Sequence, residues 1–135
     1  MNTVKRKLLG VFIPMLAMAC FATPAIAGNV SSSSWSGYAK NWSTFDTPNR
    51  QKQNSSASFV RADNVSGNRT IRVWALGYSN DDVSSSVEFL RSNKSALVSN
   101  NAFKNGPKQI QLRMQNVENY ISATSAYGVW SPDSN

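Results

Sequence analysis

Residues 108–116 read KQIQLRMQN. Ile110, Leu112 and Met114 alternate with Gln109, Gln111, Arg113 and Gln115. In an extended chain successive side chains point to opposite faces, so this alternation makes one apolar and one polar face. The stretch is expected to be a strand packed on one side and wet on the other. Asn105-Gly106-Pro107 in front of it is a turn cluster.

Outward from this strand, every strong signal again has a period of two, and no segment sustains a helical period. RTIRVWALGYS (69–79) puts Ile71, Val73 and Ala75 on one side and Arg72, Trp74, Leu76 and Tyr78 on the other. Both faces want cover, which predicts an interior strand. SSASFVRAD (55–63) precedes it, with Ser66-Gly67 as a turn centre, so the two are expected to form a hairpin. Three more strands are predicted: SGYAKNW (36–42), SSVEFLRS (85–92), with Val87 and Phe89 on one side, and YISATSAYGVW (120–130), entered by a turn at Val117-Glu118-Asn119. Leu97-Val98 fits a short edge strand. About six short strands without a helix imply an all-β fold, an antiparallel β-sandwich or small barrel.

The first 27 residues stand apart. Lys5, Arg6 and Lys7 are followed by the apolar run LLGVFIPMLAMACFA, and then by TPAIA with Ala25 and Ala27 in an A-x-A arrangement. This is the three-part pattern of a secretory signal peptide, cleaved before Gly28. The expected product is a single all-β domain, residues 28–135, secreted to the extracellular space. Cys20 lies inside the signal and offers the alternative of a lipid anchor. The expected domain contains no cysteine, so packing and hydrogen bonds alone must stabilise it.

Three of the 14 basic residues leave with the signal, so eleven face the 7 acids, a balance of +4. That is a mild attraction toward anionic surfaces such as wall polymers or phospholipid heads. Export and the lack of a basic run argue against nucleic acid.

The chain has no histidine. The usual Ser-His-Asp and Cys-His nucleophiles, the commonest general base and the commonest transition-metal ligand are therefore excluded. The acids that remain are Asp46, Asp63, Asp81, Asp82, Glu88, Glu118 and Asp133. Asp81 and Asp82 are adjacent and point apart in an extended chain. An oxygen-only calcium site in SNDDVSSS is conceivable, but no EF-hand pattern is present. No cofactor, metal or catalytic residue is expected, and the expected chain is not an enzyme. Six N-x-S/T triplets begin at Asn29, Asn41, Asn54, Asn64, Asn68 and Asn93. In a chain this rich in Asn and Ser they read as compositional.

Aromatic side chains are the best remaining clue. Trp74 and Trp130 read as core filler. In the last strand Trp130 shares a face with Thr124, Ala126 and Gly128, and Pro132 then ends the pairing, so the tail reads as a plug. Trp35, Tyr38 and Trp42 cluster near the start and are candidate contacts to a target, with Arg50, Lys52 and Arg72 supplying attraction to anionic groups.

The signal, the stretch SGNRTIRVWALGYS (66–79) and the closing YGVWSPDSN (127–135) resemble small secreted proteins of Gram-positive bacteria grouped as a domain of unknown function. That resemblance implies a secreted all-β protein and carries no catalytic residues. SSASFV (55–60) followed by Val-Trp-Ala at 73–75 is similar to bacteriocins of the lactococcin 972 type, which act on a septal wall precursor. The expected function is a non-enzymatic exported protein that binds a bacterial cell-wall or membrane component or acts as a bacteriocin-like factor. A glycan-binding module, a structural surface or matrix protein and a carboxylate-only hydrolase remain as alternatives, and the oligomeric state stays open.

Overall fold

The structure, a computed structural model, describes residues 28–104 and 108–134. The expected signal, Cys20 and the Asn105-Gly106-Pro107 turn lie outside the described residues. Nine strands form: β1 (Ser33–Ala39), β2 (Thr44–Asp46), β3 (Arg50–Lys52), β4 (Ser58–Val65), β5 (Ile71–Gly77), β6 (Glu88–Leu90), β7 (Lys94–Val98), β8 (Lys108–Asn116) and β9 (Thr124–Ser131). They make two antiparallel sheets. One runs β1-β9-β4-β7, and the other runs β2-β8-β5-β6 with β3 also paired to β8. The sheets do not close into a barrel, so the fold is a β-sandwich. The count exceeds six chiefly because β2 and β3, three residues each, are too short to show an alternation.

The alternation of 108–116 decides the core. Ile110, Leu112 and Met114 are fully buried, and Met114 and Leu112 lie opposite Val73 and Ala75 of β5. From the facing sheet come Trp35, Val60, Ala62, Val65, Val98, Ala126 and Trp130. Interior strand β5 is flanked by β8 and β6, as expected.

The expected β4–β5 hairpin does not form. β4 belongs to the four-stranded sheet and β5 to the five-stranded one. A single 3-10 turn, Ser66–Asn68, carries the chain between layers, with Gly67 (φ 69°) and Asn68 (φ 53°) in the left-handed region. Val60 and Ala62 thereby enter the same buried core as Ile71 and Val73 from the opposite sheet instead of pairing edge to edge. The segment after β8 makes the same kind of crossing, so β9 lies in the other sheet, between β1 and β4. The last strand is therefore interior.

Gly128 in β9 sits where β4 shifts register between Ala62 and Asn64. A Cβ there would run into the Arg61 carbonyl oxygen, so the bulged strand can approach only a glycine. Two residues on, Trp130 is fully buried. A ring that buries ~200 Å² at ~25 cal/mol/Å² contributes up to ~5 kcal/mol.

Beyond β9 the tail is held by polar groups rather than by apolar ones. Lys52 of β3, with no exposed surface, donates from Nζ to Asp133 Oδ1 at 2.9 Å, to the Pro132 carbonyl at 2.7 Å and to the Ser56 carbonyl. Asp133 Oδ2 accepts from the backbone N–H of Asn29 at 2.6 Å and of Gln53 at 2.9 Å. Ser58 Oγ donates to the Pro132 carbonyl at 2.7 Å, and Ser131 Oγ to the Asp133 carbonyl at 2.8 Å. Burial pushes the Asp133 carboxyl up, but the bonds from Lys52, Gln53 and Asn29 together outweigh it and hold it below its ordinary value. Burial also draws the Lys52 ammonium below its ordinary value, against the pull of Asp133.

Trp130→Ala should lower stability by ~3–5 kcal/mol, read from urea unfolding. A changed activity at an unaltered melting temperature would contradict a core role. Asp133→Ala strands the Lys52 charge and should cost ~3–5 kcal/mol. Because the folded carboxyl titrates below its unfolded value of about 3.9, the contribution of Asp133 is present above that pH and is lost as pH falls through the folded value. The acid limb of a stability–pH curve should flatten in Asp133→Ala.

Candidate functional site

With Ile71, Val73 and Ala75 turned inward, Arg72 and Trp74 of β5 face outward from the five-stranded sheet. The pairing register sets their neighbours. Arg72 lies between Gln115 of β8 and Phe89 of β6, and Trp74 lies beside Arg113. On the far side of β8, Thr44 and Asp46 of β2 flank Gln115 and Arg113. Phe89 (60% exposed) and Val87 (47%) stand open to solvent. Arg72, Trp74, Asp82 and Val87 line a depression of about 180 Å³.

Hydrogen bonds fix this face. Gln115 Oε1 accepts from Arg72 Nε at 2.8 Å, while Gln115 Nε2 donates to the Trp42 carbonyl. Arg113 grips Asp46 with two bonds of 2.7 Å, and this partner raises the guanidinium pKa further. Gln111 Nε2 donates to Asn80 Oδ1 at 2.8 Å. The net covers Gln111 and Gln115, which are buried, so the face of β8 expected to be wet is only partly so.

The Arg72 guanidinium carbon lies 5.4 Å from the centre of the Trp74 ring. Among the described residues no carboxylate forms a salt bridge with Arg72, whereas Arg113 and Arg61 are neutralised by Asp46 and Asp63. A cation without a salt-bridge partner thus rests on an indole, beside exposed Phe89 and Val87, with Asp82 lining the same depression.

The six residues proposed from sequence divide. Trp42 (50% exposed) and Arg72 are brought together through Gln115. The turn that carries Trp42 is anchored from below, where buried Asn116 donates from Nδ2 to the carbonyls of Ala39 and Asn41, each at 3.1 Å. Tyr38 (70% exposed) is on the outer face of the other sheet. Trp35 points inward at 4% exposure, with its ring 6.2 Å from Phe45 and its N–H on the Val129 carbonyl. Lys52 is buried in the tail clamp. Arg50 donates to the carbonyls of Ser31 and Trp130 and to Asn29 Oδ1, and is held by the N-terminal segment. Trp35 and Lys52 are therefore unavailable to a target, and Arg50 is committed to internal partners.

Parity explains the division. Trp35 and Tyr38 are three residues apart, and in a strand an odd separation puts side chains on opposite faces. Arg72 and Trp74 are two apart and share one. Trp74, expected in the core, is half-buried on the outer face; the same parity that separates it from Val73 could have placed it there. Phe89 was legible as the face-mate of Val87, but its pairing with Arg72 was not.

A larger depression, about 610 Å³, lies elsewhere, along Ser34, Trp35, Ser36, Tyr127 and Val129 with Asp46 and Asp63. Both of its carboxylates are already paired with arginines. Asp82 accepts from Ser84, and those bonds hold its pKa below the ordinary value. Among the described residues no group of three or more Asp, Glu, His or Cys is placed to hold a metal.

The family described as "Protein of unknown function (DUF2712)" matches residues 22–134. The chain belongs to the DUF2712 family. No curated protein matches it. The match spans β1 through β9, so the DUF2712 domain contains the whole sandwich. In this DUF2712 domain the closing GVWSPDS segment is structural at nearly every position: Gly128 admits the bulge, Trp130 fills the core, and Pro132 and Asp133 receive Lys52.

Phe89→Ser and Val87→Ser should leave stability within ~0.5 kcal/mol, since neither contributes to the core. Gln115→Ala, which removes the shared partner of Arg72 and Trp42, should cost ~1–3 kcal/mol. Denaturant unfolding of the three variants checks the distinction between an open surface and its support.

Proposed function

We propose that this DUF2712 protein is exported and binds an anionic, sugar-bearing polymer of the bacterial envelope through the outer face of its five-stranded sheet, without catalysing a reaction. The observation that carries the reading is the Arg72 guanidinium lying over Trp74, beside open Phe89 and Val87. Flat aromatic surfaces suit the apolar faces of sugar rings, because an aromatic side chain offers large contact area at little conformational cost. A guanidinium lying over an indole stays charged and keeps N–H donors for phosphate or carboxylate. The expected balance of +4 after signal removal favours the same class of partner.

The shape of the face also supports binding over turnover. It is a sheet surface braced by Gln115, Gln111 and Arg113, and Asp46 on it is engaged by Arg113. Bacteriocin-like action on neighbouring cells would be a consequence of such binding if the polymer is a wall precursor.

The test is sedimentation with purified Gram-positive cell walls at low and high salt, with tryptophan fluorescence as a second readout. Binding should be strongest at low salt. Arg72→Gln combined with Phe89→Ser should reduce it at least tenfold while the melting temperature holds. Indifference to walls at low salt would refute the reading, and so would full binding by the double variant.

A further inference from the structure

The depression beside Trp74 is built by the path of the chain. On the side of β5 away from β8, β6 pairs with Ile71, Arg72 and Val73. The next partner on that side is Asp82, bridged to Leu76, with the Val83 N–H on the Ala75 carbonyl at 3.2 Å. The register is interrupted at Trp74. Between Val83 and Val87 the chain turns to the end of β7 in the other sheet. Ser84 bridges Asn100, the Ser85 N–H donates to the Ser99 carbonyl at 2.8 Å, and Ser86 Oγ accepts from the Ser99 N–H at 3.2 Å. The opening of about 180 Å³ left beside β5 is lined by Arg72, Trp74, Asp82 and Val87.

Two opposite charges thus share one small opening without forming an ion pair. Arg72 is held by Gln115, whose Oε1 accepts from its Nε and Nη2, and Nη1 has no partner among the described residues. Asp82 is held separately. Its Oδ1 accepts from the Ser84 N–H at 2.9 Å and from Ser84 Oγ, and Oδ2 has no partner among the described residues. Those bonds hold the carboxyl below its ordinary value, so it is ionised at neutral pH. A purely anionic group drawn to Arg72 meets the Asp82 charge, and an ammonium alone meets Arg72. A group that carries both signs suits both, and half-exposed Val87 with the indole suits a short hydrocarbon link between them.

We infer that this depression receives a zwitterionic unit, an oxyanion joined to a primary ammonium by a short carbon link, with the oxyanion on Arg72 Nη1 and the ammonium at Asp82 Oδ2. The inference rests on the envelope-binding reading and narrows its ligand to a wall polymer that carries amines as well as anionic groups. Phosphate and carboxylate both suit a guanidinium, so an amine-bearing phosphodiester and an amino acid share the chemistry. Asp82 is then the residue that sets specificity. It makes the site weaker for a polymer of higher negative charge, the reverse of what the basic balance of the chain alone would give.

Two arms test it. In the first, NMR of the Trp74 indole N–H and the Val87 methyl groups follows titration with glycerophosphoethanolamine, a phosphate zwitterion, and with β-alanine, a carboxylate one. Each is set against its N-acetyl derivative, which keeps the oxyanion and loses the ammonium. At least one zwitterion should shift both resonances, which identifies the oxyanion. Its N-acetyl derivative should bind about two- to fivefold more weakly, the loss of one partly exposed ion pair. In the second arm purified walls are N-acetylated, which makes them more anionic. The unaltered protein should bind them less well than untreated walls. Asp82→Asn keeps an oxygen for Ser84 and should lose or reverse that preference at an unchanged melting temperature. Acetylated walls bound as tightly as untreated ones would overturn the inference and leave the envelope-binding reading standing, and so would an Asp82→Asn variant that keeps the preference. Failure to bind any wall would refute that reading, and the NMR arm would still decide the zwitterion site: no shift with either zwitterion, or equal binding of the acetylated forms, would overturn it. Binding to phosphatidylethanolamine vesicles in place of walls would overturn the assignment to a polymer.

Discussion

The buried ion pair between Lys52 and Asp133 is the constraint on which the rest of the sandwich depends. Neither side chain has exposed surface. Removing two ions from water costs several kcal/mol each, and their mutual attraction offsets this only when the remaining hydrogen-bonding capacity is filled. Here it is filled: the ammonium has three acceptors and the carboxylate has donors from Lys52, Asn29, Gln53 and Asn54. The arrangement joins β3, the segment before β1 and the segment after β9, which no sheet pairing connects. It occupies the place that a disulfide takes in many small exported domains, in a chain whose only cysteine is Cys20.

The fold was most legible where alternation ran longest; the predicted strands at 36–42 and 85–92 are met only in part, since β1 ends at Ala39 and β6 keeps Glu88–Leu90 alone. The bounds of β8 agree with the quoted stretch, and Ile110, Leu112 and Met114 face the core as their spacing dictates. What alternation does not encode is which strand lies beside which. A β4–β5 hairpin and a β4-to-β5 crossing between layers have the same pattern and the same Ser-Gly turn residues. The core requires the crossing: Val60 and Ala62 can share one buried cluster with Ile71 and Val73 from opposite sheets only if the chain changes layer between them. The candidate surface was half legible for the same reason. Arg72 and Trp74 share a face by parity, but their union with Phe89 and Trp42 depends on register and on one glutamine. Lys52 was misplaced because a lysine in a three-residue strand is written no differently from a solvated one; only the position of Asp133, 81 residues on, reveals its burial.

Arginine and lysine have divided roles in this molecule. Arg61 and Arg113 are neutralised on exposed or half-exposed carboxylates, where each pair contributes little to stability. Arg50 and Lys52 bind the ends of the chain to the body. Arg69 lies 4.2 Å from the Tyr120 ring centre and bonds Ser122 and Thr124, bracing the crossing from β8 to β9. Arg72, like Arg69, has only neutral partners, here a side-chain amide and an indole, and its cross-strand neighbour Phe89 is open to solvent. That pairing of a cation without a carboxylate and an exposed aromatic ring makes the surface around it a place to look for an anionic ligand.

The rigidity of that surface follows from the same long-range architecture. Gln115 and Asn116 sit at the end of β8, and from there they anchor Trp42 and the turn before β2. β8 in turn is held in register by β5 along seven residues, and its apolar face shares one buried core with residues of β9 and β4. β9 can occupy the centre of its sheet only because Gly128 admits the bulge and the tail clamp closes behind Trp130. A displaced tail would therefore be transmitted through β9 and β8 to the turn that carries Trp42. The clamp bridges the two layers, because Lys52 belongs to β3, which pairs with β8 of the five-stranded sheet, while Asp133 follows β9 of the other, so β8 supports both the clamp and the candidate surface.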